Sequence, residues 1–235
     1  MSRRSRIAHA IASLGARGAC LYALDRAAQR LRLPLRVRSY LLVAQPVPDG
    51  PFLPARRGRD FRLRELGPGD PALAQMPLDS ATLDFRFGQD ARCFGLFRED
   101  RLAAYAWLCF GAYAEDEVRC RFRPSPAGAS AWDFDVYVAP AFRLGPAFLK
   151  LWDGVNDRLR EMGVRTSYSR ISAFNLASLR SHRRLGAEVV GRADFLVLGP
   201  VQLLLSTLRP RLHLAIGRRR PELAVTSAPG GTVPA

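Results

Sequence analysis

Apolar residues recur every three or four positions at Phe148, Leu151, Trp152, Val155, Leu159 and Met162, with Pro146 ahead of them and Gly163 just behind. That period predicts the clearest helix in the chain, opened by a proline and closed by a glycine. Before it, residues 132–138 alternate, with Trp132, Phe134, Val136 and Val138 on one side and Asp133, Asp135 and Tyr137 on the other. A period of two predicts a strand that carries both carboxylates on one face. The runs 93–97 and 102–110 are apolar and joined by the polar turn 98–101, which predicts a hairpin. Shorter signals predict strands at 61–66, 117–122 and 164–172, an extended stretch at 187–198, a helix at 80–87 and a loop at 124–129. Asp70 followed by Pro71 is a helix start, and Asn175 caps a helix that runs to Leu185-Gly186. Strands that first pair as a meander and then alternate with helices predict an α/β fold around a mixed sheet.

The flanks read differently. Residues 7–32 place Ile7, Ile11, Leu14, Leu21, Leu24, Ala28 and Leu31 at helical spacing, which predicts one or two basic amphipathic helices split near Gly15–Gly18. Pro34 ends them, and 35–45 is extended. Residues 46–58 hold four prolines and two glycines and read as a linker. The expected organisation is a basic extension (1–45), a linker (46–59), a compact domain (60–199) and a basic tail (200–235) whose end is disordered.

Composition adds two limits. The 235 residues carry a formal charge of +15, but residues 1–40 hold nine Arg and one Asp, and residues 201–235 hold five Arg and one Glu. The body is nearly balanced. Lys150 is the only lysine, so the charge looks like an arginine-biased composition before it looks like a function. No nucleic-acid-binding motif accompanies it, so no nucleic-acid partner is expected. The basic amphipathic N-terminus is compatible with peripheral contact to an anionic membrane. No apolar run approaches the roughly 20 residues that span a bilayer. Cys20, Cys93, Cys109 and Cys120 form no C-x-x-C pair, so reduced thiols in a cytoplasmic protein, and no metal, are expected.

The text DVYVAPAFRLGPAFLKLWDGVNDRLREMGV (135–164), followed by NLASLRSHRRLGAEVVG (175–191), resembles the cofactor-binding half of the GNAT superfamily of N-acetyltransferases. The hairpin RCFGLFREDRLAAYAWL (92–108) looks like the family's second and third strands, and the resemblance spans residues 60–199. It implies a GNAT-like sheet, mostly antiparallel and flanked by helices. It also implies an enzyme that passes an acyl group, acetyl by family frequency, from acetyl-CoA to a primary amine by direct attack. The acceptor is not identified, and a homodimer is compatible. The resemblance implies that Arg143, Leu144, Gly145, Ala147 and Phe148 hold the coenzyme A pyrophosphate at a helix N-terminus, whose N–H groups and dipole favour anions. Val136 and Val138 would present backbone N–H groups to the thioester, freed by a bulge or splay in the strand. Asn175 would touch the pantetheine arm while capping its helix.

This sequence departs from the family pattern in the turn. The glycine falls one place early, Pro146 takes its usual position and Phe148 replaces a small residue. A catalytically inactive scaffold of the same shape is the alternative that this departure supports. His182 stands where many members carry a tyrosine that protonates the leaving thiolate, and imidazole can do acid work near neutral pH. Asp133 and Asp135, if they face the acceptor, would bind its amine or take its proton. Glu115, Asp116 and Glu117 read as a solvated acidic loop, with recognition of a cationic substrate as the other use.

Overall fold

The computed structural model describes residues 3–227, with side chains from residue 15 onward. The expected disorder at the end of the chain falls beyond the described residues. In chain order the elements are α1 (Arg3–Arg30), β1 (Leu35–Pro46), β2 (Phe61–Leu66), a 3-10 turn (Pro71–Gln75), α2 (Ser80–Phe87), β3 (Arg92–Arg98), β4 (Arg101–Cys109), β5 (Tyr113–Ala114), β6 (Arg121–Pro124) and β7 (Ser130–Val138). A second 3-10 turn (Pro140–Phe142) leads to α3 (Ala147–Glu161), β8 (Thr166–Ser172), α4 (Leu176–Arg184), β9 (Glu188–Leu198), β10 (Val201–Ser206), β11 (Leu212–Ile216) and β12 (Glu222–Val225). The fold is α/β, with a large, mostly antiparallel sheet flanked by helices.

The chain forms two compact units, one within residues 46–113 and 124–168, the other within 3–45, 114–123 and 169–227. In the first, antiparallel strands follow the order β7-β4-β3-β2. Helix α3 packs on β2, β3 and β4 and buries Leu151, Trp152, Val155 and Leu159 of the stripe that its sequence spacing predicts, while Met162, its C-cap, is exposed. The helix lies close to β2: a Cβ on Gly154 would stand 2.9–3.3 Å from three Leu63 atoms. Gly154→Ala is therefore expected to cost about 1–3 kcal/mol by overpacking. A urea midpoint unchanged from the parent would mean that Leu63 can move aside. Residues of the expected linker are tied to the same unit. The Phe52 N–H donates to Asp153 Oδ1 at 2.6 Å, and Arg160 Nη1 donates to the Pro48 carbonyl at 2.5 Å.

In the other unit the strand order is β11-β10-β9-β1, again antiparallel. Gly15, at φ 69°, breaks α1 in the place where the sequence predicts a split. Beyond it, Asp25 accepts the Val37 N–H, and Arg17 pairs at 2.5 Å with Asp194, a fully buried carboxylate that also accepts the Ser39 hydroxyl. Regular pairing continues past residue 199: β10 pairs with β9 and with β11.

Two expectations need correction. The strand expected at 117–122 is displaced, because residues 115–120 turn and only Arg121–Pro124 is extended. The acidic loop is solvated only in part: Asp116 and Glu117 are exposed, but Glu115 is buried against Arg170.

Candidate functional site

Strand β7 ends the central hairpin's partner ladder and runs directly into the turn that precedes α3. Its register with β4 is not continuous. Trp107 faces Phe134 and Tyr105 faces Tyr137, so Ala106 stands opposite two residues, Asp135 and Val136. This is a β-bulge, and Asp135 takes φ +48°, a left-handed conformation that Asp tolerates better than most residues.

The bulge overturns the simple alternation of β7. Leu63 packs on Gly154 of α3, and the register carries that face through Leu96 and Ala104 to Val138. Leu108 shares the face of Ala104, and its partner is Asp133. Asp133 therefore lies on the α3 side, buried, and accepts the Ser167 hydroxyl at 2.6 Å. Asp135 lies on the other side, with Trp107 and Tyr105. It accepts Arg86 Nη1 of α2 at 2.5 Å and the Tyr105 hydroxyl at 3.3 Å. The two carboxylates are not on one face, because the extra residue reverses the parity of every position after it.

Arg86 and Tyr105 join this site without a prior signal in the sequence. Arg86 sits between Phe85 and Phe87 in a short helix and reads as a surface arginine. It is buried instead, with its guanidinium carbon 5.2 Å from the Trp107 ring centroid and 5.4 Å from that of Phe134. Burial raises the Tyr105 phenol well above its ordinary value, and the Asp135 charge adds to the effect. Tyr105 is therefore a hydrogen-bond donor, not a base. Asp135 itself remains partly exposed, with a third of its side-chain surface open.

The turn after β7 is compact. The N–H of Phe142 bonds to the Ala139 carbonyl, and that of Gly145 to the Phe142 carbonyl. Pro146 is the N-cap residue of α3, not a member of its first turn, and no side chain caps this end. The missing proline N–H thus falls outside the first-turn donors. Lys150 makes the first intrahelical bond, to Pro146, so helix geometry leaves Ala147 and Leu149 without an intrahelical acceptor. Leu144 is fully exposed, and Arg143 is exposed with Nε donating to the Val138 carbonyl at 3.1 Å. Phe148 is half-buried, and Ala147 is buried. Gly145 has an ordinary backbone conformation, and an added Cβ would meet only the Phe142 carbonyl oxygen, at 3.6 Å. Nothing inside the fold requires glycine there.

The other two predicted residues lie in the second unit. Asn175 caps α4, its Oδ1 accepting the Ser178 N–H at 3.1 Å, so the predicted cap is present. His182 is buried on α4, and its Nδ1 lies 3.2 Å from Gln45 Oε1. An amide oxygen only accepts, so Nδ1 carries the proton in this arrangement. Burial pushes the His182 pKa down to about 4, so the ring is neutral at pH 7 and holds no imidazolium proton to give away.

A second polar cluster surrounds Arg170 on β8. Its Nη2 bonds to Glu115 at 2.8 Å, its Nε also donates to Glu115, and its guanidinium lies 4.4 Å from the Tyr40 ring centroid. The Tyr40 hydroxyl donates to Glu117 at 2.6 Å. Burial works against the charge on Arg170, but the bonds and field of Glu115 hold its pKa above the ordinary value. Glu115 is thereby occupied by a residue of its own chain.

No protein-family model matches the sequence, and no curated protein does. Solved structures do. One is a Novosphingobium aromaticivorans protein assigned as a GNAT-family acetyltransferase, 22% identical, TM-score 0.45, with 68% of this chain and 63% of that one covered. Another is a tandem GNAT protein from the clavulanic acid biosynthesis pathway, 19% identical, TM-score 0.45, with 66% and 51% covered. A conserved Staphylococcus epidermidis protein of unknown function is 8% identical, at TM-score 0.50, with 74% and 66% covered. The chain spans about half to two thirds of the length of the first two structures. The bulged strand, the tight turn and the α3 N-terminus follow one another without interruption over residues 134–150. No cluster of metal-ligating side chains occurs among the described residues, and no described helix is long and apolar enough to cross a membrane.

Proposed function

We propose that this protein is an N-acyltransferase that moves an acyl group, most simply acetyl, from acyl-CoA to a primary amine. The observation that carries the reading is the β-bulge at Asp135–Val136, one turn ahead of a helix N-terminus with no side-chain cap. A bulge takes backbone out of its ladder, and a carbonyl that gains negative charge is stabilised by such N–H groups. The Val136 and Val138 region of β7 supplies them. An uncapped helix start attracts a pyrophosphate through its N–H groups and dipole. Residues 143–148 form that cradle, with Arg143 exposed to reach an anion.

The reaction is a direct displacement. An acceptor that arrives as an ammonium first gives one proton to solvent by way of Asp135; the freed nitrogen forms a bond to the thioester carbonyl carbon, the C–S bond breaks, and the proton that the nitrogen loses as the amide forms passes to the thiolate. Asp135 is the carboxylate suited to hold the ammonium form of the acceptor, because it is partly open and sits at the bulge. Asp133 has a supporting place, since it is buried against Ser167. His182 is neutral and bonded to Gln45, which suits a structural part better than that of proton donor.

Calorimetric titration with acetyl-CoA tests the reading. Gly145→Trp is the informative variant, because the fold has room at Gly145, whereas enlarging buried Ala147 would disturb α3 packing. The parent protein should bind, and Gly145→Trp should bind at least tenfold more weakly, about 1.4 kcal/mol, with an unaltered thermal midpoint. A folded parent that takes up no acyl-CoA would instead favour the non-catalytic scaffold.

A further inference from the structure

The sheet face that carries Asp194 is covered at one side only. Helix α1 lies over β1 and β9 there, held by Arg17 on Asp194 and by Asp25 on the Val37 N–H. Beyond β9 the same face continues onto β10 and β11. Register places Leu198, Val201 and Ile216 in one row across the three strands, and Leu196, Leu203 and Leu214 in the next. Every member of both rows is aliphatic. Leu198 is 51% exposed, Leu214 57% and Ile216 60%, and Leu212 beside them is 64% exposed. The row of Leu198 extends through Leu35 of β1, next to exposed Leu33. The opposite face of β9 and β10 is buried, with Phe195, Leu204 and Gln202 closed to solvent. This sheet therefore buries one face in its unit and leaves the other apolar and open. A contiguous patch of this kind on a soluble chain marks an interaction surface.

Charge selects the partner. Arg209 and Arg211 stand at the turn end of the β10–β11 hairpin, and Arg218, Arg219 and Arg220 follow its other end, all but Arg209 and Arg211 in one run and all exposed. Residues 201–220 contain no Asp or Glu. An aliphatic face bounded at both ends by cations fits a surface with an apolar interior and an anionic skin. A second copy of this chain fits poorly. Antiparallel pairing of two β11 edges would bring Arg211 of one chain near Arg218 of the other, and like charges across a ladder oppose pairing.

We infer that the β10–β11 face docks on an anionic lipid surface, with the aliphatic rows among the upper acyl chains and the terminal arginines on the headgroups. Each arginine near such a surface adds attraction that salt screens, and each buried aliphatic side chain adds a salt-insensitive part. This surface belongs to β9, β10 and β11 and does not depend on the acyltransfer reading.

Flotation of the full chain with vesicles tests it. The protein should float with phosphatidylcholine–phosphatidylserine vesicles at moderate salt and remain behind with phosphatidylcholine alone. Leu214→Glu combined with Ile216→Glu should abolish flotation. Because both side chains are exposed, the thermal midpoint should hold. Replacing Arg218, Arg219 and Arg220 with glutamine should weaken binding at least tenfold and flatten its salt dependence. Failure to float with the anionic vesicles, or flotation unaltered in the Leu214→Glu, Ile216→Glu protein, would overturn the inference. So would a dimer in light scattering that the same double variant dissolves, since the face would then belong to a second copy.

Discussion

Arg170→Met will destabilise the protein by about 3–5 kcal/mol, the usual result of removing one partner from a buried ion pair. The reason lies in what remains. Glu115 is 3% exposed and receives both Arg170 bonds, so the variant leaves a carboxylate in a closed site without its cation. Burial already pushes the Glu115 pKa up, and without Arg170 the group will take a proton instead of bearing its charge. The ring of Tyr40 loses its stacked guanidinium in the same step. Urea unfolding at pH 7 measures the loss. Adding Glu115→Leu to Arg170→Met should recover most of it, because a buried ion pair exchanged for apolar side chains is often neutral. A single variant within 1 kcal/mol of the parent would show that water reaches Glu115.

Acid will expose the second large effect, at His182. An unfolded histidine titrates near 6.5, whereas burial holds this one down to about 4. The folded state therefore refuses a proton that the unfolded state accepts. Its contribution is fully present above pH 6.5 and is lost as pH falls towards 4, by an amount of about 3 kcal/mol. His182→Gln should be less stable than the parent at pH 7, since it loses ring packing. Its stability should nevertheless fall less between pH 6.5 and pH 4. Parallel denaturation curves for parent and variant across that window would remove His182 as the cause of acid sensitivity. The same measurement bears on mechanism, because a group neutral over the whole working range contributes no pH limb to acyl transfer.

Much of the fold was legible along the chain. Helix α3 announces itself because its apolar residues keep one period over 15 positions and are bounded by a proline and a glycine. Helix α2 and strand β2 start and stop where their sequence signals do. Asn175 and Asp70 cap their helices as such residues should. Strands β10 to β12 were hidden for a physical reason. They are four to six residues long and lie among arginines and prolines, so no local period distinguishes them from a tail. What makes them strands is pairing, β10 with β9, β11 with β10 and β12 with β6, which is a tertiary fact.

The candidate site was legible in composition but not in geometry. Residues 143–148 do form a tight turn at a helix start, as their resemblance to the GNAT family implied. The bulge at Asp135 leaves no mark in the residue pattern, and it decides which carboxylate faces which side. Arg86 went unmarked and Glu115 was read as solvated for one common reason. Both are charged residues in short segments, and charge argues for the surface until a buried partner far along the chain satisfies it. Those partners are 49 and 55 residues away.

The pairing of β1 with β9 also constrains how the chain is made. Leu35 and Leu198 are partners in one ladder, while residues 46–113 and 124–168 between them belong to the other unit. A ribosome adding about 5–20 residues per second leaves β1 outside the exit tunnel for roughly 8–30 seconds before its neighbour exists. During that interval an aliphatic strand waits with an open hydrogen-bonding edge. Long-range closure of this kind is slow and favours capture by holding chaperones. Because the missing neighbour lies at the far end of the chain, a polypeptide that terminates before β9 keeps that edge open for good.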